Sequence, residues 1–303
     1  MAVINEGASF PSYVWAMVRF LLSAGGQHPT DSTRKLLCPA TLMPDDKATF
    51  SDAVGTLKDL ALATDDDGEL SLSPAARKLS PDNVATFSDL LRRAVLDQAQ
   101  NTGLDGSGDQ SVTKDAGAKD LVRALAWFLT LDAFTPLGLD EVTQLQESAF
   151  PAQLGKAIVN GVRWGRFVYW APALGFAAQS LLDKDQGQRQ VRRLVPDCTV
   201  AVRRTVLAVW PKGKRIDAAD AIDRIIEELP VLPGGRYSRM LGLPAPATDV
   251  SSSLSTALLR GDHEWISLEQ RSDAARDVFL TDPDAASGRR RVSEIIITGS
   301  LDD

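Results

Sequence analysis

The residues best suited to chemistry in this sequence are cations of its central part, which could contact the phosphates of nucleic acid. Residues 151–215 carry 12 basic and 3 acidic residues, a net charge of +9. Residues 1–150 carry 12 basic and 21 acidic residues, and residues 216–303 carry 9 and 16, so the flanking parts have net charges of −9 and −7. A basic part within an acidic chain indicates a local contact with an anion rather than a protein that coats nucleic acid.

Helical spacing groups some of these cations. In "GKAIVNGVRWGRFV", Lys156, Asn160 and Arg163 recur every three to four residues, so a helix would carry them on one face. There Asn160 could donate to a base edge or a phosphate. The sequence "GRRR" at 288–291 precedes the last predicted strand and resembles the arm of a wing that grips phosphate. The predicted nucleic-acid-binding residues are Lys156, Asn160, Arg163, Arg166, Arg189, Arg192, Arg193, Arg289, Arg290 and Arg291.

Other interpretations of the same residues stay open. Cations on a helix are usually a solvated face, and a basic part can instead pair with acidic parts of the chain or with a protein partner. The aromatic residues of "RWGRFVYWAPALGF" could stack on unpaired bases, although such clusters more often form core. These residues are Trp164, Phe167, Tyr169, Trp170 and Phe176.

Residues that could catalyse a reaction or hold a metal are scarce. The chain has two His and two Cys, and its sequence pairs no nucleophile with a base and shows no zinc-ligand spacing. The "LPGGRYSRMLG" stretch lacks the spacing of a phosphate cradle and is predicted to be a turn. We therefore predict no catalytic residues, no metal and no cofactor, and an enzyme stays open as a third possibility. Without an export signal or a long apolar run, the chain is expected in the cytoplasm and outside the membrane.

The elements that would position these cations are helices interrupted by short hairpins. The first part of the chain predicts three helices and then a hairpin in "LATDDDGELSL", whose Asp-Gly pair favours a tight turn. We expect Leu62, Leu70 and Leu72 to face the helices and Glu69 and Ser71 to face water. Three helices and a hairpin are the order of a winged helix, in which the third helix reads DNA and the hairpin is the wing. Any hairpin packed under a helix is the alternative.

The same order recurs along the chain and predicts its domains. We predict an N-terminal winged helix with a trailing helix at 1–100, a Gly- and Ser-rich linker or loop at 101–117, a middle unit at 118–196 and a C-terminal unit at 197–303. The predicted fold class is mainly α with small β-hairpins (α+β), with two or three tandem winged-helix units.

Several stretches of the chain resemble the DpdG-like proteins of bacterial 7-deazaguanine DNA modification and restriction (Dpd) defence clusters. They include "YVWAMVRFLL", "RALAWFLTLD", "NGVRWGRFVYWAPALGFA", "LVPDCTVAVRRTVL" and "ELPVLPGGRY", which together span most of the chain. The resemblance implies a role in anti-phage defence beside DNA-modifying or DNA-cleaving partners. It assigns a function to no residue.

These observations lead to one functional prediction and one alternative. We predict a non-catalytic DNA-binding or adaptor subunit of a bacterial anti-phage defence or DNA-modification/restriction complex. Its candidate partners are double-stranded DNA, other subunits of the complex and a second copy of itself. The alternative is a tandem winged-helix scaffold that dimerises and clasps a protein partner without DNA contact. Phosphate contacts give a steep fall of affinity with salt, whereas an apolar clasp does not.

Overall fold

The structure, a computed structural model, describes residues 3–4, 9–39, 41, 47–106, 118–147, 149–150, 154–180, 192–246, 250–272 and 276–301. Within them the chain forms eleven α-helices and ten short strands that pair antiparallel in small sheets. This confirms the predicted α+β class. The chain divides into two compact units: unit 1 is Met1–Val122 with Ala157–Leu174, and unit 2 is Arg123–Lys156 with Gly175–Asp303.

Unit 1 combines helices with one three-stranded sheet. Its elements up to residue 100 are α1 (Pro11–Ser23), β1 (Gln27–Pro29), α2 (Thr30–Leu37), α3 (Lys47–Asp59), β2 (Ala63–Asp66), β3 (Glu69–Leu72), a short 3₁₀ helix (Ala76–Lys78) and α4 (Val84–Leu96). Helix α5 (Lys119–Phe128) contains the division between the units. Helix α7 (Gly161–Ala173) also belongs to unit 1 and packs on α1.

The predicted hairpin in unit 1 is confirmed. Strands β2 and β3 pair from Ala63 with Leu72 to Asp66 with Glu69. The two turn residues, Asp67 at φ 51° and Gly68 at φ 79°, both have the left-handed backbone that a tight hairpin of this twist requires. Leu62, Leu70 and Leu72 are buried and Glu69 is exposed, as expected, while Ser71 is half-buried.

Unit 2 carries the remaining helices and three small sheets. Its elements are α6 (Leu139–Leu145), β4 (Ala177–Gln179), β5 (Leu194–Pro196), α8 (Thr199–Val209), β6 (Arg215–Asp217), α9 (Ala218–Glu228), α10 (Arg236–Met240), α11 (Ser252–Gly261), β7 (Ile266–Glu269), β8 (Val278–Thr281), β9 (Arg289–Val292) and β10 (Glu294–Ile297). The "LPGGRYSRMLG" stretch, predicted to be a turn, contains the short helix α10.

One strand order appears three times. In unit 1 the order is β1-β3-β2, and in unit 2 it is β6-β10-β7. A smaller example in unit 2 is formed by Leu137, which bridges Leu194 of β5, while β5 pairs with β4. In each case the segment that comes third along the chain lies between the first and the second. The chain therefore repeats an arrangement rather than a sequence.

Helix α11 forms the centre of unit 2. Residues 253–258 and Gly261 are all buried, so the helix has almost no exposed face. It packs on α8, β7 and β8. The Ser253 hydroxyl donates to the carbonyl oxygen of Leu129 at 3.0 Å, and the backbone N–H of Thr281 donates to the Ser255 hydroxyl at 3.0 Å. The chain at Leu129 and strand β8 thus cover opposite faces of α11.

The structure corrects the predicted start of one helix and leaves the predicted linker open. The sequence "GKAIVNGVRWGRFV" was expected to form a helix that includes Lys156, but α7 begins only at Gly161, because Asn160 caps it. Residues 107–117 of the predicted linker lie outside the described residues, whereas Asn101 and Leu104 before them are buried. The predicted domain boundaries stay a prediction.

Candidate nucleic-acid interface

Asn160 caps a helix instead of standing on its face. Its side-chain Oδ1 accepts a hydrogen bond from the backbone N–H of Arg163 at 3.0 Å, which satisfies one of the free donors at the start of α7. Lys156 precedes the helix in a non-helical segment. The expected shared helical face of Lys156, Asn160 and Arg163 is therefore wrong.

The Arg163 guanidinium faces a buried carboxylate. Its Nη2 lies 3.2 Å from Oδ2 of Asp120, and these two side chains are 18% and 8% exposed. Its Nη1 also donates to the carbonyl oxygen of Ala157 at 2.9 Å. Arg163 thus fixes the start of α7 within unit 1, and little of its charge faces solvent.

Arg166 belongs to an aromatic group on unit 1. Its Cζ lies 4.4 Å from the ring centroid of Phe10, a cation–π distance. The Phe10 ring also meets Tyr13 and Tyr169 edge to face, with centroids 5.2 and 5.0 Å apart. Tyr13 is 43% exposed and Tyr169 is 38% exposed. We call these four residues the tyrosine patch.

The other aromatic residues of this stretch, three on α7 and Phe176 just after it, form core. Trp164, Phe167, Trp170 and Phe176 are buried, so their faces are closed to a nucleic-acid base. The Trp170 indole Nε1–H donates to the carbonyl oxygen of Ser9 at 2.9 Å, which satisfies its polar atom inside unit 1. Of the five aromatic residues considered for base stacking, Tyr169 is the exposed one.

Two predicted cations of unit 2 pair with carboxylates. Lys156 Nζ lies 3.2 Å from Glu147 Oε1, and Arg193 Nη2 lies 2.7 Å from Glu141 Oε1. Partial burial raises the pKa of Glu141, but hydrogen bonds from backbone N–H groups and from Arg193 outweigh that effect and leave the pKa lowered. Arg192 is exposed, and Arg189 lies outside the described residues.

The arginines at 289–291 form strand β9, paired with β8, rather than an arm. Alternation along the strand separates their side chains. Arg290 Nη2 lies 2.7 Å from the buried Asp262 carboxylate. Arg291 is hydrogen-bonded to Asp277, which raises the pKa of the guanidinium. Arg289 is exposed and has no side-chain partner in the part of the chain that the structure describes.

The predicted nucleic-acid-binding set left out an exposed segment of unit 2 that belongs to the basic part at 151–215. Residues 199–216 contain five cations and no acidic residue. Residues 211–215, "PKGKR", are all exposed: the first four lie in the turn that joins α8 to β6, and Arg215 begins β6. Arg203 is exposed on α8. The absence of acids over this stretch was the available signal, but the prediction favoured third helices and wings.

The side chains that could serve in catalysis are buried or lie far from one another in the sequence. His28 Nδ1 lies 2.9 Å from the Thr33 hydroxyl, but Thr33 is buried and donates to the carbonyl oxygen of Pro29 at 3.0 Å. Burial raises the pKa of the Cys198 thiol, so it stays protonated. No group of three or more His, Cys, Asp or Glu able to hold a metal ion occurs within the described ranges. Among the same residues, no helix has the length and apolar character to cross a bilayer.

Comparison with protein-family models shows that the DpdG-like family model matches residues 1–274 of the chain. The chain belongs to the DpdG-like family. This confirms the resemblance noted in the sequence, and the family suggests involvement in Dpd modification systems. The match to DpdG-like proteins includes the tyrosine patch and the basic "PKGKR" turn and ends before β8. Comparisons with curated proteins and with solved structures gave no match.

Proposed function

We propose that this DpdG-like chain is a non-catalytic adaptor subunit of a Dpd complex, built from tandem winged-helix units, and that the third helix of the C-terminal unit serves packing rather than DNA reading. Its main activity would be to hold a protein partner. The anti-phage role and the partner subunits follow from family membership and are part of the proposal.

The strand order supports winged-helix units. The first 72 residues follow the order α1, β1, α2, α3, β2, β3, and the sheet order β1-β3-β2 places the wing hairpin beside a short first strand. The C-terminal elements α8, β6, α9, α11, β7 and β10 follow the same plan in the order β6-β10-β7. Helix α10 and the β8–β9 pair are insertions in that plan.

The observation that carries the adaptor proposal is the internal pairing of the predicted DNA-binding cations. Carboxylates hold Lys156, Arg163, Arg193, Arg290 and Arg291. A phosphate contact would require these pairs to break, and the pair of Arg163 is largely buried. Helix α11, the third helix of the C-terminal plan, is covered and could not enter a groove.

The tyrosine patch is the surface best suited to a protein partner. Tyrosine and arginine are enriched among the residues that dominate binding energy at protein interfaces, because they combine a large apolar area with a polar end. In the patch, Phe10 orders both exposed tyrosines and the Arg166 guanidinium before any partner binds. Such order lowers the entropy cost of association.

Co-purification tests this proposal. We expect the chain to co-elute with one of the other proteins encoded in its Dpd cluster, and Tyr13→Ala with Tyr169→Ala to raise the dissociation constant at least about tenfold. Phe134→Ala, which removes another exposed aromatic ring at 49% exposure, is the matched control and should leave the affinity unchanged. The proposal fails if no Dpd protein binds or if the control weakens binding equally. Turnover of DNA or nucleotides by the chain alone, with or without magnesium, would contradict its non-catalytic part.

A further inference from the structure

The turn between α8 and β6 and the first residue of β6 carry three exposed cations, Lys212, Lys214 and Arg215. The Lys214 backbone N–H donates to the carbonyl oxygen of Pro211 at 3.1 Å, and the Gly213 N–H donates to the carbonyl oxygen of Ile297 at 2.7 Å. Gly213 has φ 85°, and a Cβ placed there would meet no atom within 4 Å. These bonds fix the turn to the sheet of unit 2 while its outer side is open to solvent.

Two cations of this region have no partner among the residues that the structure describes. Arg203 on α8 and Lys214 in the turn are exposed, and neither side chain has a hydrogen bond or ion pair in the described ranges. This distinguishes them from Arg215, whose Nη1 lies 2.6 Å from Glu294 Oε2. At a rise of about 1.5 Å per residue, Arg203 lies roughly 10 Å along the helix from the turn, a distance that several backbone phosphates of a duplex span.

The chemistry around these cations favours phosphate over protein. Protein interfaces need an apolar, desolvated centre, and the exposed turn contains Pro, Gly and cations only. With no acidic residue between 199 and 216, nothing in this segment repels a polyanion. Flexible lysine and arginine side chains match the phosphodiester backbone, whose contacts carry no sequence information.

We propose that Arg203 and Lys214, the latter in the turn between α8 and β6, bind the phosphodiester backbone of double-stranded DNA without reading its sequence. This adds a second, weaker contact to the adaptor role and does not depend on it. It places DNA at the first helix and the following turn of the C-terminal plan, a surface distinct from the third helices and from the wings.

Fluorescence anisotropy with a labelled duplex of about 20 base pairs tests the proposal on the full chain. We expect micromolar binding at 50 mM salt, with a log–log salt slope of roughly −3 for about three phosphate contacts. Arg203→Gln with Lys214→Gln should weaken binding about tenfold or more and flatten the slope by roughly two. A duplex of shuffled sequence should bind equally.

The matched control is Lys58→Gln with Lys78→Gln, which removes two exposed cations of unit 1, one of them on α3, the third helix of the N-terminal plan. It should leave both affinity and slope unchanged. The proposal is overturned if the wild type does not bind at 50 mM salt, if the control weakens binding as much as the test variant, or if binding depends on sequence. Partner binding measured on the same variants stays at the wild-type value, which separates failure here from failure of the adaptor role.

Discussion

Arg163 shows how the neighbours of a cation decide its role. From its spacing it belongs to a basic helical face, yet Asp120 and the carbonyl oxygen of Ala157 take up its guanidinium. Removing water from both ions is costly, and their attraction offsets that cost only while both are present. Loss of one partner leaves an unpaired charge in a poorly solvated place. The main role of Arg163 is therefore to stabilise the fold.

Asp120→Ala should lower the free energy of unfolding by about 3 kcal/mol, since it strands the Arg163 charge. Glu147→Ala is the matched control, because it removes the carboxylate partner of Lys156 from an exposed pair and should cost less than about 1 kcal/mol. Urea unfolding followed by circular dichroism gives both values. Equal, small losses would show that Arg163 is not held by Asp120 and is available as a binding cation.

Close packing at the end of α11 fixes the position of β7. A Cβ on Gly261 would lie 2.4 Å from the Trp265 ring, so no larger residue fits without moving the indole. Gly165 in α7 is the opposite case, because a Cβ there meets nothing within 4 Å. Packing therefore requires a glycine at position 261 but not at position 165.

Gly261→Ala is expected to destabilise the chain by about 1–3 kcal/mol through overpacking against Trp265. Gly165→Ala should stabilise it by roughly 0.5–1 kcal/mol, because alanine loses less backbone freedom in a helix. Urea midpoints of the two variants, measured against wild type, give the comparison. Changes of the same sign would contradict the packing described for α11.

Local chemistry explains which elements the sequence predicted. The hairpin was predictable because the Asp67-Gly68 pair and the alternation of Leu70 and Leu72 act over a few residues. The start of α7 was not, because an asparagine can cap a helix or stand on its face, and only backbone geometry distinguishes the two. Ion-pair partners such as Asp120 and Arg163 sit on different helices, so no local pattern joins them. Five of the ten predicted nucleic-acid-binding residues pair with carboxylates in this way: Lys156, Arg163, Arg193, Arg290 and Arg291.

At the scale of the whole molecule, unit 1 is assembled from two separate stretches of chain. Helix α7 returns to it after residues of unit 2, and the Arg92 guanidinium donates to the carbonyl oxygen of Leu174 at 3.1 Å. The Trp170 indole is bonded to Ser9. Unit 1 is therefore incomplete without residues 157–174.

A fragment of residues 1–122 should unfold at a lower urea concentration than a fragment of residues 1–174. Each large α7 side chain that it lacks, such as Phe167 or Trp170, contributes about 2 kcal/mol or more when buried. A fragment of residues 1–156 adds chain without α7 and should behave like the shorter one. Identical midpoints for all three fragments would refute the discontinuous unit.

The position of β10 between β6 and β7 has a kinetic consequence. In the part of the chain that the structure describes, β6 and β7 each pair with β10 and not with each other. They therefore have no strand partner there until residues 294–297 have been made. Contacts between segments so distant in sequence form late, because closing the loop costs entropy before the pairing repays it. During synthesis, α8 to α11 therefore leave the ribosome with an open sheet edge. Pulsed hydrogen exchange during refolding should show the amides of β6, β7 and β10 gaining protection together, after those of the β2–β3 hairpin.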